Sequence, residues 1–480
     1  MSKIVFVNPP ISLFQRYGYF AGIGNTLAPL GLLYLASVSR TERFGVAIVE
    51  ASNKLSYDDS VNEILGNHPD YVAITATTVS IFNAARLAKM IKEKTGDIII
   101  IIGGPHLSAA PEETMKKFPE FDFGVIGEGE ETLIELLRKI DSNGKLSSIP
   151  GIIFREGGRI IITSERPLIT DLDKLPFPSW DILPNFPRGY YPVVSKFRRL
   201  PAAYILTSRG CPYKCIFCDS SVFKNKCRFF SPKYISEMIK LLYHRYGVRE
   251  ISFEDDTLFL SKERLVNICE FLLRENFSLS WSCNGRVDLV SLDILKLMKR
   301  AGCWQIGFGI ESGIQDILDF SKKGLSLKQI ESAIELTHKA GISSKGFFIL
   351  GFPNETKRTM RQTIDFAKRI KLNDITVSFM TPFPGSEIHK FAKDLGEFND
   401  DWKKMNMLNV VFIPHGLQKE DLEKYLKLFL KEFYFRPKIV FDYIRRILRN
   451  PFYSRRMFNA GIALLKILFQ EPKTIGRRLV

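Results

Sequence analysis

Three cysteines share one short run, Arg209-Gly210-Cys211-Pro212-Tyr213-Lys214-Cys215-Ile216-Phe217-Cys218, in the spacing C-x3-C-x2-C. Thiolates are soft donors that suit zinc and iron–sulfur clusters. Three of them in so short a loop can each hold one iron of a [4Fe–4S] cube and leave the fourth iron without a protein ligand. A metal with an open coordination position does chemistry as well as holding structure, as the difference between catalytic and structural zinc illustrates. The same thiols would also serve a zinc knuckle, with Cys227 as the candidate fourth ligand within twenty residues, or would simply pack.

A reactive loop needs a scaffold. The apolar residues Ala203, Tyr204, Ile205 and Leu206 just before it read as a short buried strand. From about 202 to 385, strand and helix patterns alternate six times, with strands near Ala203–Leu206, Glu250–Glu254, Leu279–Cys283, Gln305–Gly309, Gly346–Leu350 and Ile375–Phe379. Six βα units predict a partial (β/α)6 barrel with its site at the C-terminal ends of the strands, where the cysteine loop also falls. Those ends carry Glu254-Asp255-Asp256, Asn284-Gly285-Arg286, Glu311-Ser312 and Gly351 to Glu355. Singly, each reads as a solvated loop charge or a helix cap. Together in one mouth they would accept a zwitterion and a ribose.

The first 140 residues alternate in the same way, with β-branched runs at Lys3–Asn8, Val46–Glu50, Tyr71–Thr75, Ile98–Ile102 and Phe123–Ile126. Continuous apolar strands separated by helices predict a doubly wound parallel sheet, whose ligands bind beyond the strands' carboxyl ends. There Gly103, Gly104, Gly127 and Gly129 allow close approach of a flat ligand, and Thr75, Thr77, Thr78 and Ser80 offer hydroxyls. No GxGxxG opens the first turn, which counts against a dinucleotide. The expected division is an α/β domain over 1–148, a Pro-rich connector with a hairpin over 149–200, the barrel over 201–390, and a helical, basic region over 391–480.

The cysteine spacing, with an aromatic just before the third cysteine, is similar to the signature of the radical SAM superfamily. FEDDTLF, NGRVDLV, FGIESG, GFFILGFPNET and TPFPGS carry the likeness across the barrel. The resemblance implies that Cys211, Cys215 and Cys218 hold a [4Fe–4S] cluster whose open iron binds S-adenosylmethionine and cleaves it to a 5′-deoxyadenosyl radical. By the same likeness Phe217 lies near the adenine, Asp255 or Asp256 meets the methionyl amino group, and Arg286 lies near the carboxylate. Glu311 and Ser312 contact the ribose or methionyl end, and Asn284 belongs to the same pocket. NPP at 8–10, PLGLLYLAS at 29–37, TATTVS at 75–80, GGPHLSAAP at 103–111 and GEGEET at 127–132 resemble the cobalamin-binding domain that precedes the barrel in one radical SAM branch. That likeness implies cobalamin against Thr75, Thr77, Thr78, Ser80, Gly103, Gly104, Gly127 and Glu128. The Asp-x-His-x-x-Gly run that supplies histidine to cobalt is missing, so the lower cobalt face has no assigned ligand; His106 reads as a loop residue rather than a ligand.

At 480 residues, 45% hydrophobic and 25% charged, the chain is an ordinary folded protein of two or three domains. Its seven cysteines all fall between 211 and 303, an odd, clustered set that argues against a disulfide framework and for a reducing cytoplasm. The net charge of +16 points to a polyanionic partner, nucleic acid or an anionic membrane face. Residues 436–480 hold eleven Lys or Arg against Asp442 and Glu471, a net +9. No apolar run reaches the roughly 20 residues of a spanning helix. Ile439, Val440, Tyr443, Ile444, Ile447 and Leu448 line one side of a helix with Arg445, Arg446 and Arg449 opposite, which suits either a membrane surface or packing on the barrel.

The resemblance therefore implies an enzyme that takes hydrogen from an unactivated carbon and, in the commonest chemistry of the branch, methylates it, fed by an electron donor such as ferredoxin or flavodoxin. The basic tail favours a hydrophobic substrate such as a lipid, isoprenoid or tetrapyrrole, with peripheral membrane contact, and ring closure is the alternative outcome. RNA modification would call for a further N-terminal cluster, and no cysteine precedes Cys211. A non-catalytic cluster- or cobalamin-binding regulator is the remaining reading.

Overall fold

The computed structural model describes residues 2–469, apart from 25, 54–55 and 450. Lys473, Arg477 and Arg478 of the basic tail lie outside the described residues, as do the side chains of Arg449, Arg455 and Arg456.

Two sheets organise the chain. The first contains β1 (Lys3–Asn8), β2 (Gly45–Glu50), β3 (Tyr71–Thr75), β4 (Ile99–Gly103), β5 (Phe123–Val125), β6 (Ile152–Glu156) and β7 (Arg159–Ile162), in the order 2-1-3-4-5-6-7. The first five strands are parallel. Their interiors are apolar because helices cover both faces; Ala84, Ala85, Leu87, Ala88 and Ile91 of the helix Ile81–Lys94 are all buried. The hairpin β6–β7 turns at Gly157 and Gly158, both at positive φ (+56° and +78°), which glycine adopts without steric cost. It is not a free element of the connector: β6 pairs antiparallel with β5 and extends the first sheet. The rest of the connector runs along the helix Leu30–Thr41, tied by Ser37 Oγ donating to the Phe177 carbonyl and by the Arg40–Asp181 ion pair.

The second sheet contains β8 (Ala202–Ile205), β11 (Glu250–Phe253), β12 (Ser280–Gly285), β13 (Cys303–Glu311), β14 (Ser343–Leu350) and β15 (Asp374–Phe379). All its pairings are parallel, in sequential order from β8 to β15, which is the expected partial barrel. Between β8 and β11, the short β9 (Ser208–Arg209) and β10 (Arg228–Phe229) form an antiparallel ribbon. The connector closes the barrel interior from one side: Lys196 pairs with Glu254 and Lys345 donates to Ser195 Oγ at 3.0 Å.

The C-terminal region is helical after an irregular start. It begins with an antiparallel pair, β16 (Gly396–Phe398) and β17 (Phe412–Pro414), before helices at Lys419–Tyr434, Pro437–Arg449 and Pro451–Phe469. From the segment between those strands, Trp402 and Met405 are buried in the outer core of the first domain, beside Ile81, Ala85 and Phe118. The helix 437–449 corrects the single-stripe reading. Ile439, Tyr443 and Ile447 pack inward, whereas Val440, Ile444 and Leu448 are exposed. Among the described residues, no helix is long and apolar enough to cross a membrane.

Candidate active site

The loop 210–227 leaves the mouth of β8 and is stapled at its base by the β9–β10 ribbon. Gly210 sits at φ +85°, and a Cβ there would collide with the Lys226 carbonyl, so only glycine closes this neck. Cys211 and Cys215 are half-buried and Cys218 is exposed. Desolvation pushes the Cys218 thiol up to about 12, with further negative charge from Cys215, Asp256 and Cys211. Burial likewise raises the Cys215 thiol, opposed by the Lys323 ammonium and the Arg286 guanidinium. The mutual influence of the three thiols places them in one electrostatic neighbourhood. Among the described residues, however, no three His, Cys, Asp or Glu side chains converge on a single point as a closed zinc site requires. Three thiols on one short loop, each within the others' electrostatic influence, would suit separate corners of a cluster with one open iron. A cluster would supply the positive charge that keeps buried thiolates ionised.

The strand ends supply the surrounding wall. Arg286 lies over the Tyr213 ring, 3.4 Å from its centroid, pairs with Asp288 at 3.1 Å, and donates to the Lys323 carbonyl at 3.0 Å. Lys323 in turn forms a buried pair with Glu311 at 2.7 Å and stands 5.8 Å from the Phe217 ring centroid. Glu311 follows a register shift in β13 and holds φ +64°, a left-handed backbone that costs a non-glycine residue about 1–2 kcal/mol. Strain of this kind gathers at functional sites. Phe217 meets Phe352 edge-on at 5.9 Å.

Asp255 and Asp256 differ in their surroundings. Asp255 is buried, and its Oδ1 accepts from the Thr207 amide (3.0 Å), the Thr207 hydroxyl (2.9 Å) and the Ser208 hydroxyl, which fixes the segment entering the cysteine loop. Its Oδ2 has no hydrogen-bond partner among the described residues, an orphaned buried carboxylate oxygen that an ammonium group would satisfy. Asp256 is exposed and close enough to Cys218 to raise its thiol. Asn284 donates to Glu254 at 3.4 Å.

Ser312 departs from expectation. Its hydroxyl is fully buried and engaged with Thr363 on the outer helix Lys357–Arg369, so it braces the loop after β13 rather than offering a free donor to the mouth. Glu355, at the end of β14, accepts from the amides of Gly351 and Phe352 through Oε2, and burial pushes its carboxyl up to about 8.

In the first domain, the loops after β3 and β4 meet. Gly104 has φ +98°, and a Cβ there would lie 2.6 Å from Thr75 Oγ1, so glycine lets these two loops touch. Ser80 and Thr77 cap each other, with the Thr77 amide donating to Ser80 Oγ at 2.9 Å. Thr78 Oγ1 is 3.1 Å from His106 Nδ1. The hydroxyls of Thr78 and Ser80 are thus used to shape the loop, leaving Thr77 exposed and Thr75 half-buried beside Gly103. His106 is buried edge-on against Trp402 at 4.4 Å, and desolvation lowers its pKa to about 3. It lies buried in the short helix Pro105–Ala109, not in the loop that the sequence suggested.

Glu128 is held by a set of ion pairs. Its Oε1 pairs with Arg209 at 2.7 Å, its Oε2 pairs with Arg228 at 2.6 Å and accepts from the Ile169 amide at 2.9 Å. Arg209 also pairs with Glu130 at 2.6 Å, and Arg209, Glu128 and Glu130 are all buried. These charges join the Gly127 loop of the first domain to the β9–β10 ribbon, and the Val222 carbonyl lies 3.9 Å from where a Gly127 Cβ would stand. Both mouths are therefore clamped together at the base of the cysteine loop. The residues that sequence reasoning missed are Arg209, Arg228, Glu130, Lys323 and Tyr213. The available hint was Arg209, a charge adjoining Gly210-Cys211 with no local partner.

A cavity of about 810 Å³ opens beside the last barrel strand. Phe379, Phe398, Val411, Leu426 and Ile467 give it an apolar lining, bordered by Lys404, Lys419, Lys427 and Lys466 and by Glu397, Asp400 and Glu423. Phe398 packs as well against the cluster of residues that includes Ile216 and Phe217 of the cysteine loop.

Comparison with known proteins agrees with this architecture. The model of the radical SAM superfamily matches residues 205–367, and that of the B12 binding domain matches 18–137. The chain is 34% identical to the uncharacterized methyltransferase PH0819 of Pyrococcus horikoshii over 443 residues, 91% of this chain and 94% of that one. It is 27% identical to the anaerobic magnesium-protoporphyrin IX monomethyl ester cyclase of Rubrivivax gelatinosus over 428 residues, 88% of this chain and 75% of the cyclase. The solved structure of OxsB, a cobalamin-dependent S-adenosylmethionine radical enzyme with aqua-cobalamin and S-adenosylmethionine bound, superposes with a TM-score of 0.72 at 18% identity, covering 96% of this chain and 72% of OxsB. With the cysteine loop at the mouth of a six-stranded barrel and the matching domain clamped over it, the chain belongs to the radical SAM superfamily, in the branch that carries a B12 binding domain ahead of the barrel.

Proposed function

We propose that this chain is a cobalamin-dependent radical C-methyltransferase acting on an unactivated carbon of a hydrophobic substrate. When bound, the cluster supplies the electron that cleaves S-adenosylmethionine to a 5′-deoxyadenosyl radical, and the corrinoid supplies the methyl group. The observation that carries this reading is the buried Arg209–Glu128–Glu130 clamp, because a reaction that needs both cofactors at one carbon needs their two domains held mouth to mouth.

Within that frame Cys211, Cys215 and Cys218 would hold the cluster. The free Oδ2 of Asp255, with Asp256 nearby, would receive the methionyl ammonium, and Arg286 would balance the carboxylate. The Lys323–Glu311 pair, locked behind the loop, would orient the S-adenosylmethionine end nearest Phe217. Thr75, Thr77, Gly103 and Gly104 would line the corrinoid edge. The cavity supports the substrate class: its apolar walls suit a hydrocarbon or macrocycle, while its rim mixes four lysines with Glu397, Asp400 and Glu423. The relatedness to a tetrapyrrole cyclase favours a second outcome, ring closure on such a molecule without methyl transfer.

Anaerobically reconstituted enzyme, given reductant, cobalamin, methyl-deuterated S-adenosylmethionine and extracted isoprenoid, lipid and tetrapyrrole fractions, tests the reading by mass spectrometry. A product heavier by a deuterated methyl group, formed together with 5′-deoxyadenosine, supports methylation. A product lighter by two hydrogens with no added label selects ring closure. Uptake of label by RNA alone would overturn both.

A further inference from the structure

The helix 437–449 divides its apolar residues between two faces. Ile439 is 1% exposed and packs in the main core, while Tyr443 and Ile447 lie against Phe197 and Ala202 of the connector and barrel. That face anchors the helix: Tyr443 donates to Asp374 at 3.1 Å and Arg446 to Ser343 at 3.3 Å. The opposite face is also apolar. Phe441 is 66% exposed, Leu448 77%, Ile444 48% and Val440 41%. An anchored helix has no structural need for four large exposed hydrophobes. They cost solubility unless something apolar covers them.

The next helix, Pro451–Phe469, packs against the first and repeats the pattern, with Phe458, Ile462 and Leu465 exposed at i, i+4 and i+7 spacing. Charge accompanies these residues. Lys438, Phe441, Arg445 and Leu448 are three or four residues apart, so basic and apolar side chains alternate along one exposed face. The whole stretch 436–480 carries a net +9.

This combination selects the occupant. A second copy of the chain would bring an equally positive face and be repelled. An uncharged apolar partner would cover Phe441 and Leu448 but leave the basic residues without purpose. A surface that is apolar at depth and negatively charged at its rim satisfies both, and an anionic lipid bilayer is such a surface: amphipathic helices bury an apolar face at the headgroup boundary while flanking Lys and Arg meet the lipid charge. We propose that the exposed faces of helices 437–449 and 451–469 form a docking surface for an anionic membrane, with Phe441, Leu448, Phe458 and Ile462 entering the interface and Lys438 and Arg445 meeting its headgroups. The inference is independent of the catalytic reading, because it needs neither cofactor nor turnover.

The test is flotation of the full-length chain with phosphatidylcholine vesicles, with and without phosphatidylglycerol. The expected result is co-flotation with phosphatidylglycerol vesicles, weak binding to phosphatidylcholine alone, and release by salt. F441S/L448S should bind the anionic vesicles at least about tenfold more weakly, since two large apolar side chains no longer leave water. K438E/R445E should lose at least about 20-fold through charge. These residues are exposed, so both variants should keep the parent's thermal unfolding. Failure to float with phosphatidylglycerol vesicles, or equal binding by both variants, would overturn the proposal. So would light scattering that finds a dimer which F441S/L448S turns into a monomer, since the face would then belong to a second copy.

Discussion

Replacing Arg209 with methionine removes the side chain that holds two carboxylates of the first domain at the neck of the cysteine loop. Its guanidinium pairs with Glu128 at 2.7 Å and Glu130 at 2.6 Å, and the three side chains are 7%, 4% and 7% exposed. Arg228 still neutralises Glu128 at 2.6 Å, so the variant strands chiefly Glu130. Removing one partner of a buried pair costs about 3–5 kcal/mol, most of it the burden of the uncompensated charge. The lower end applies here because one of the two acids keeps a cation. Neutralising the stranded acid should then restore stability: R209M/E130Q should be more stable than R209M, with a coupling of at least about 1.5 kcal/mol. Urea unfolding followed by tryptophan fluorescence reads the change, since Trp180, Trp281, Trp304 and Trp402 are all buried. A loss below about 1 kcal/mol in R209M, or strictly additive effects in the double variant, would refute the clamp.

Lys323→Met leaves the Glu311 carboxylate unpaired beside Cys215, and S-adenosylmethionine binding, followed by equilibrium dialysis on reconstituted protein, should weaken at least about tenfold. Glu355 gives a pH signature: its folded carboxyl sits near 8 against 4.5 unfolded, so the folded state holds the extra proton between those values and stability falls as pH rises through the window. Across it the loss approaches about 5 kcal/mol, and thermal unfolding of E355Q should show a flatter slope between pH 5 and 8. Cys227→Ser should leave about four iron per chain, as a three-cysteine cluster requires, whereas a zinc knuckle would lose its metal. Trp402→Ala should cost about 3–5 kcal/mol and open the first domain, rather than the barrel, to protease, because Trp402 is buried in that domain's outer core.

Strands flanked by helices on both faces have to be apolar along their length, which is why runs such as Ile99–Ile102 and Tyr71–Ile74 are legible in the sequence. The cysteine loop was legible because its ligands are local. The ion pairs of Glu128 were hidden for the opposite reason: its partners Arg209 and Arg228 lie 81 and 100 residues away, and no sequence pattern pairs them. The Ser312 contact was hidden in the same way, its hydroxyl meeting Thr363 across 51 residues. The hairpin β6–β7 was found, but its docking on β5 depended on an edge invisible in sequence. In the helix 437–449, amphipathic spacing announced an apolar side and could not tell that Ile439 is buried while Leu448 is exposed.

The most direct test of the account is electron paramagnetic resonance on reduced, anaerobically reconstituted protein before and after adding S-adenosylmethionine. The account predicts a [4Fe–4S] signal that changes when S-adenosylmethionine binds its open iron and that is lost in Cys215→Ala. A signal indifferent to S-adenosylmethionine, or zinc in place of iron, would contradict it.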